Sequence, residues 1–365
     1  MAVIRGDARD NTLSGTALRD TLLGLGGDDR LFGQEGADLL NGGPGADRLD
    51  GGTGLDTVSY GGEPAGIVAD LVAGRVGTSS GDDFLASIEN ISGSRFADEI
   101  LGDAGANVLR GRGGDDIIDG GGGGDTLSGG DGIDVVSYGW ASGIEADLRA
   151  GTATSDRGTD RLAEIESVDG SRGDDRILGD SQDNVLFGDA GADLLRGRGG
   201  DDILQGGAGD DILRGDGGDD LLEGGSGVDA MRGGTGRDTI RYSVLIDQSE
   251  PGGDVRPGRD TVLDFVRGED RLGGEVGFIL ADLSVGSASG GEMFDLLDTN
   301  GNRRLDKNDL HVVIEKVTIG TAALRSTIID FGTALNDLAG GLLVPGDTQT
   351  LTLFGTLGLT RGDFV

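Results

Sequence analysis

The chain has no cysteine in 365 residues, which excludes disulfides and thiolate metal centres. Aromatic residues make up 4% of it, too few for the conventional packed cores that a chain of this length would otherwise hold. Histidine occurs once, as His311, and this removes the paired histidines of H-E-x-x-H zinc chemistry. Positive charge is scarce: 30 Lys and Arg stand against 66 Asp and Glu, for a formal charge of -36. Such a chain repels nucleic acid and anionic membranes and attracts cations. No apolar run approaches the roughly 18 residues of a membrane span. The opening "MAVIRGDARDNTLSG" has neither the basic region nor the apolar stretch of a secretory signal peptide, so export would need another signal.

Glycine is what the chain has in excess, with 76 residues. Acidic chains poor in aromatics are often disordered, yet disorder does not require aspartates at a fixed phase. From Gly6 the sequence advances in strict steps of nine: "GDARDNTLS", "GTALRDTLL", "GLGGDDRLF", "GQEGADLLN", "GGPGADRLD", "GGTGLDTVS". Their sixth places are Asn11, Asp20, Asp29, Asp38, Asp47 and Asp56, and their eighth places are Leu13, Leu22, Leu31, Leu40, Leu49 and Val58. A second array from Gly93 carries Asp98, Asn107, Asp116, Asp125 and Asp134 at the sixth place. A third from Gly170 carries Asp175, Asn184, Asp193, Asp202, Asp211, Asp220, Asp229 and Asp238.

Six residues of glycine-rich turn followed by three of strand make half a coil of a parallel β-roll, with one apolar residue per unit pointing inward. That residue is worth about 1.5–3 kcal/mol when buried, too little to order a backbone so rich in glycine. Turns on one side of such a roll stack about 4.8 Å apart and bring sixth-place carboxylates together. Like charges at that spacing repel by about 1 kcal/mol in water and about 3.5 kcal/mol at an effective dielectric of 20. A divalent cation between stacked turns reverses the sign. The donors on offer, aspartate carboxylates and turn carbonyls, are hard oxygens that suit Ca²⁺ better than the stricter octahedron of Mg²⁺. The expected ligands are therefore the sixth-place aspartates, with Asn11, Asn107 and Asn184 as weaker positions. Asp56, Asp134 and Asp238 are less secure because each ends an array.

The units "GGAGDDILR" (206–214) and "GGTGRDTIR" (233–241) match G-G-x-G-x-D-x-U-x in full, and the chain thereby resembles the RTX, or hemolysin-type, calcium-binding repeat proteins. The resemblance implies an all-β, right-handed parallel β-roll over 1–242, built from arrays 6–59, 93–137 and 170–241. It also implies several Ca²⁺ ions, an extracellular location and export by type I secretion machinery. The segments between arrays, 60–92 and 138–169, are duplicates: Asp70 maps to Asp147 and Ile88 to Ile165, each 77 residues on. Alternation in "IVADL" predicts strands that widen the solenoid locally. Trp140 reads as packing over an exposed edge.

After Tyr242 the period stops, and 243–365 reads as a small, mainly β cap. "RDTVLDFVRGEDRLGG" (259–274) resembles the segment that closes the roll in serralysin-type C-terminal domains, and "LTLFGTLGLTRGDFV" resembles the usual RTX ending with its uncleaved type I signal. Within this third, "DTNGNRRLDKND" (298–309) has EF-hand spacing. Asp298, Asn300, Asn302, Arg304 through its carbonyl, Asp306 and Asp309 stand at places 1, 3, 5, 7, 9 and 12. Arg303 replaces the turn glycine and Asp309 the bidentate glutamate, so the segment reads either as a weak calcium loop or as an Asx-rich turn.

The expected function is that of a secreted calcium-binding repeat protein that folds on meeting extracellular Ca²⁺ and has no enzymatic activity. The alternatives are a calcium-dependent adhesin or matrix protein with a glycan, a cell or its own copies as partner, and a hydrolase-associated or toxin-like accessory module. "GTSSG" (77–81) fits G-x-S-x-G only formally, because it lies in a turn and not in a strand-to-helix elbow. The "RGD" tripeptides at 5–7 and 214–216 follow from unit composition, with Arg ending one unit and Gly-Asp opening the next.

Overall fold

A computed structural model of the chain describes residues 1–247 and, beyond them, the strands Arg259–Val262, Arg271–Ile279, Val285–Ala288, Arg304–Leu305, Val312–Ile319, Ala322–Asp330, Thr350–Phe354 and Leu359–Thr360. Among the described residues every regular element is a β-strand. None is a helix long and apolar enough to cross a membrane. The chain divides into two compact units, Met1–Asp169 and Gly170–Val365, and each contains a parallel β-solenoid.

In the first unit each nonapeptide places its seventh to ninth residues in a strand, as in Thr21–Leu23 and Arg30–Phe32. Successive strands belong to opposite sheets, so two nonapeptides complete one coil, and Leu22 pairs with Leu40 and Leu31 with Leu49. The eighth residue alone points inward. Leu22, Leu31, Leu40 and Val58 are wholly buried, while the seventh-place Val3, Val68 and Ile117 face solvent. Alternation in a three-residue strand permits nothing else, because neighbouring side chains point to opposite faces. The core is thus one apolar residue deep on each sheet along the arrays, and the buried aromatic residues Tyr60 and Tyr138 stand where the inserts begin.

The two inserts form antiparallel three-stranded meanders that take the place of single strands. Gly81–Ala86 stacks in parallel on Arg48–Asp50, turns back through Arg75–Thr78, and reaches Val68–Asp70, which stacks in parallel on Glu99–Leu101. The sheet gains strands there, as the alternation predicts. Gly158–Ala163 likewise stacks on Thr126–Asp131 and continues antiparallel through Thr152–Ser155 to Glu145–Asp147. The duplicates lie on opposite sheets. Five nonapeptides separate them, an odd number, so the second copy falls on the face the first does not use.

In the second unit the same coil repeats, with Leu195 opposite Leu213 and Leu204 opposite Leu222. Strand Arg259–Val262 then adds in parallel to Ala230–Thr235, and Arg271–Ile279 to Thr239–Asp247. The segment expected to close the roll therefore supplies the next strand to both sheets, which leaves neither of those two strands with an open edge. Thr350–Phe354, Ala322–Asp330 and Val312–Ile319 extend one sheet and Val285–Ala288 the other. Of the EF-hand-like loop, Arg304 lies in a two-residue strand paired with Leu359–Thr360. Asp298, Asn300, Asn302, Asp306 and Asp309 lie outside the described residues.

A candidate metal centre in the stacked turns

The sixth-place aspartates precede the strands and line the inside of the turns, where all of them are buried. Asp47, Asp56, Asp116, Asp134 and Asp238 are wholly inaccessible, and Asp202, Asp211 and Asp229 retain 1% exposure. Each turn is tied to the next coil through this residue. The backbone N–H of Asp20 donates to Asp38 Oδ1 at 2.7 Å, that of Asp29 to Asp47 Oδ1 at 2.7 Å, and that of Asp38 to Asp56 Oδ1 at 2.7 Å. The ladder continues through Asp98 to Asp116 and Asp116 to Asp134 at 2.8 Å. In the second unit it runs through Asp175 to Asp193, Asp193 to Asp211, Asp202 to Asp220, Asp211 to Asp229 and Asp220 to Asp238 at 2.8–3.1 Å.

One oxygen of the carboxylate is thereby satisfied and the other is not. The Oδ2 atoms of Asp29, Asp38, Asp47, Asp56, Asp116, Asp134, Asp193, Asp202, Asp211 and Asp220 are buried with no hydrogen-bond partner. A buried carboxylate oxygen without a partner is costly. Burial pushes the carboxyls of Asp47, Asp116, Asp125, Asp193 and Asp202 up to about 7. It pushes those of Asp134, Asp211 and Asp220 up to about 6. Neighbouring acids add to this, as Asp83 and Asp29 do at Asp47, while the donated backbone N–H opposes it.

The first-place glycine completes the pocket. A Cβ on Gly24 would overlap Asp29 Oδ2 and the carbonyl of Gly42, and one on Gly33 would lie 2.6 Å from Asp38 Oδ2. Carboxylate and carbonyl oxygens converge where only glycine leaves room. Such a donor set, oxygen alone and from two successive coils, fits Ca²⁺. No group of three or more acidic side chains forms a metal site among the described residues, so backbone carbonyls must supply the rest of a coordination shell. The second and fourth places of these turns have positive φ, as at Gly43 (88°) and Gly45 (147°). Leu25 (83°), Gln34 (79°), Arg112 (88°), Asp189 (70°), Arg198 (79°) and Asp216 (75°) hold that conformation at the second place without being glycine.

The structure adds sixth-place acids that no array contains. Asp83 accepts from the N–H of Asp47 at 2.9 Å and Asp160 from that of Asp125 at 2.9 Å. Glu89 accepts from Asp56 at 2.8 Å and Glu166 from Asp134 at 3.0 Å. Asp56 and Asp134 therefore do not end a stack, because the inserts supply the next acid. The sequence signal is an acid two residues before an apolar residue, buried in "DRL", "ENI" and "ESV" and half-buried in "DFL". A second ladder runs through the fifth place, where Asp28 donates its N–H to Asp10 Oδ1 at 3.0 Å and Asp219 to Asp201 Oδ1 at 2.7 Å. The adjacent "DD" pairs encode both ladders.

The model of the RTX calcium-binding nonapeptide repeat matches residues 5–40, 23–58, 92–127, 101–136, 169–204, 196–231 and 205–240. The arrays are RTX calcium-binding repeats. The matches cover all three arrays, and the RTX register they define is the one in which strands and turns alternate in the structure. No curated protein matches the chain.

Trp140 and the formal serine motif have structural explanations. Trp140 Nε1 donates to Asp119 Oδ1 at 2.8 Å, and the Arg157 guanidinium lies 4.3 Å over its ring. The indole fastens the second insert to the coil below. Ser79 and Ser80 form the exposed turn between Arg75–Thr78 and Gly81–Ala86.

Proposed function

We propose that this RTX repeat protein is exported unfolded by a type I route and folds outside the cell when Ca²⁺ fills its stacked turns, serving there as a structural or interaction module. The observation that carries this reading is the row of buried carboxylate oxygens without partners, repeated coil after coil in a chain of formal charge -36. A cation lying between coils would offset both the orphaned oxygens and the repulsion along the row. Folding and binding then form one equilibrium, which low calcium inside the cell holds open and high calcium outside closes by mass action. Type I export and an extracellular location are general associations of RTX proteins. A non-catalytic role agrees with a serine motif set in an exposed turn and with acids that the ladder already employs. The likeness of 259–274 to serralysin-type closures belongs to the same reading.

The test is far-ultraviolet circular dichroism of the whole chain in EGTA and through a calcium titration. We expect a largely unordered spectrum in chelator and a cooperative rise in strand signal with calcium, with magnesium far less effective. A chelated chain as strand-rich as the loaded one overturns the proposal.

A further inference from the structure

The turns fall into two kinds. In most, the second and fourth residues have positive φ and the sixth-place carboxylate is left with a buried oxygen. In six turns the backbone N–H of the second residue instead donates into the sixth-place side chain: Asp7 to Asn11 at 2.6 Å, Thr16 to Asp20 at 2.7 Å, Ser94 to Asp98 at 2.6 Å, Asp103 to Asn107 at 2.8 Å, Ser171 to Asp175 at 2.6 Å and Asp180 to Asn184 at 2.8 Å. Hydroxyls reinforce three of them, with Thr16 Oγ1 on Asp20 at 2.7 Å, Ser94 Oγ on Asp98 at 2.8 Å and Ser171 Oγ on Asp175 at 2.7 Å.

These six are the first two turns of each array. Two turns make one coil, one on each side of it, so each array opens with a single coil of this kind: 6–23, 93–110 and 170–187. Two further observations set those coils apart. The turn stacked before Asp20 and the turn stacked before Asp98 have no acid at the sixth place, since the N–H groups facing these carboxylates come from Ala2 (2.5 Å) and Ile67 (2.8 Å). The whole turn changes with that bond: in "GDAGAN" (102–107) Gly105 does not take the positive φ that glycines at the fourth place adopt elsewhere, whereas in "GDAGAD" (188–193), which differs only at the sixth place, Asp189 and Gly191 both do.

We propose that the second and sixth places together decide whether a turn takes calcium, Thr or Ser at the second place or Asn at the sixth closing it, and that each array opens on one metal-free coil in which side-chain and backbone donors occupy the cation's place. A carboxylate already holding an N–H on its inner oxygen presents positive hydrogen where an ion would sit, and N–H groups cannot join an all-oxygen shell. Asn11, Asn107 and Asn184 then cease to be weakened calcium positions. They are caps, for which an amide oxygen serves as well as a carboxylate. The three coils need no cation and offer calcium-dependent coils a ready surface on which to stack. This inference rests on the calcium reading above and divides its sites into two groups.

The test makes the same substitution in both kinds of turn. Asp20→Asn/Asp98→Asn/Asp175→Asn and Asp29→Asn/Asp116→Asn/Asp202→Asn are compared with the unaltered chain by flow dialysis with Ca²⁺, counting ions at saturation, and by the calcium midpoint of the circular dichroism transition. The first triple is expected to bind as many ions as the parent at an unchanged midpoint. The second is expected to lose ions and to shift its midpoint several-fold upward. Ser171→Gly, which turns "GSRGDD" into a full motif without removing an acid, is expected to bind one ion more than the parent, and it decides the matter should the second triple fail to fold. Equal losses in the two triples, no loss in the second, or no gain with Ser171→Gly overturns the inference. A parent chain that binds no calcium overturns the reading beneath it instead.

Discussion

At the second place of an open turn, a side chain sits in a backbone conformation that L-residues adopt at a cost of about 1–2 kcal/mol. Leu25 and Gln34 hold φ of 83° and 79° there, and Leu25 is 50% exposed, so its side chain gains little from burial in return. Replacing either by glycine should relieve the strain, less glycine's own entropy in the unfolded chain, for a net gain of about 0.5–1 kcal/mol. Urea unfolding of the calcium-loaded Leu25→Gly chain should show a higher midpoint with the same slope. The eighth place works in the opposite direction. Leu40 is wholly buried and is the sole inward residue of its strand. Leu40→Ala should cost about 2–5 kcal/mol, and because coils contact only their neighbours, hydrogen exchange should rise most in the coils on either side.

The inserts carry the polar contacts that let a meander interrupt a ladder. Tyr138 is buried, and its hydroxyl donates to Asp160 Oδ2 at 2.9 Å while Asp160 Oδ1 receives the N–H of Asp125. Tyr138→Phe leaves one oxygen of that carboxylate without its partner, at about 1–3 kcal/mol, and amide exchange should rise in 138–169 before it rises in the first insert. The strands and the inward eighth residue were legible in the sequence because a period of nine with a single apolar phase admits one register. The widening inserts were legible as alternation and duplication. Their placement on opposite sheets was not, since it depends on counting five intervening units around a two-sided coil. Nor were Asp83, Asp160, Glu89 and Glu166, which stand at the sixth place without the glycines that announce it. The division of turns was hidden for a different reason: Thr16, Ser94 and Ser171 look like ordinary departures from glycine until their N–H groups are seen to close on Asp20, Asp98 and Asp175.

Across the whole molecule the buried acids make the metal-free fold a proton acceptor. Asp47, Asp116, Asp125, Asp193 and Asp202 have carboxyls raised to about 7, and Asp134, Asp211 and Asp220 to about 6, against an ordinary value of 3.8. Between the ordinary and the raised value the folded chain binds more protons than the unfolded one, so its stability falls as pH rises and is regained as pH drops. In EGTA, acidification from pH 8 to about 5 should therefore restore strand signal that calcium supplies at neutral pH. Protons also compete with calcium for the same oxygens, so the calcium midpoint should move to higher concentration over the same window. Circular dichroism in chelator from pH 4 to 8, paired with calcium titrations at each pH, reads both effects. A strand signal in EGTA that does not change across that window would show that the inner oxygens do not govern folding of the metal-free chain.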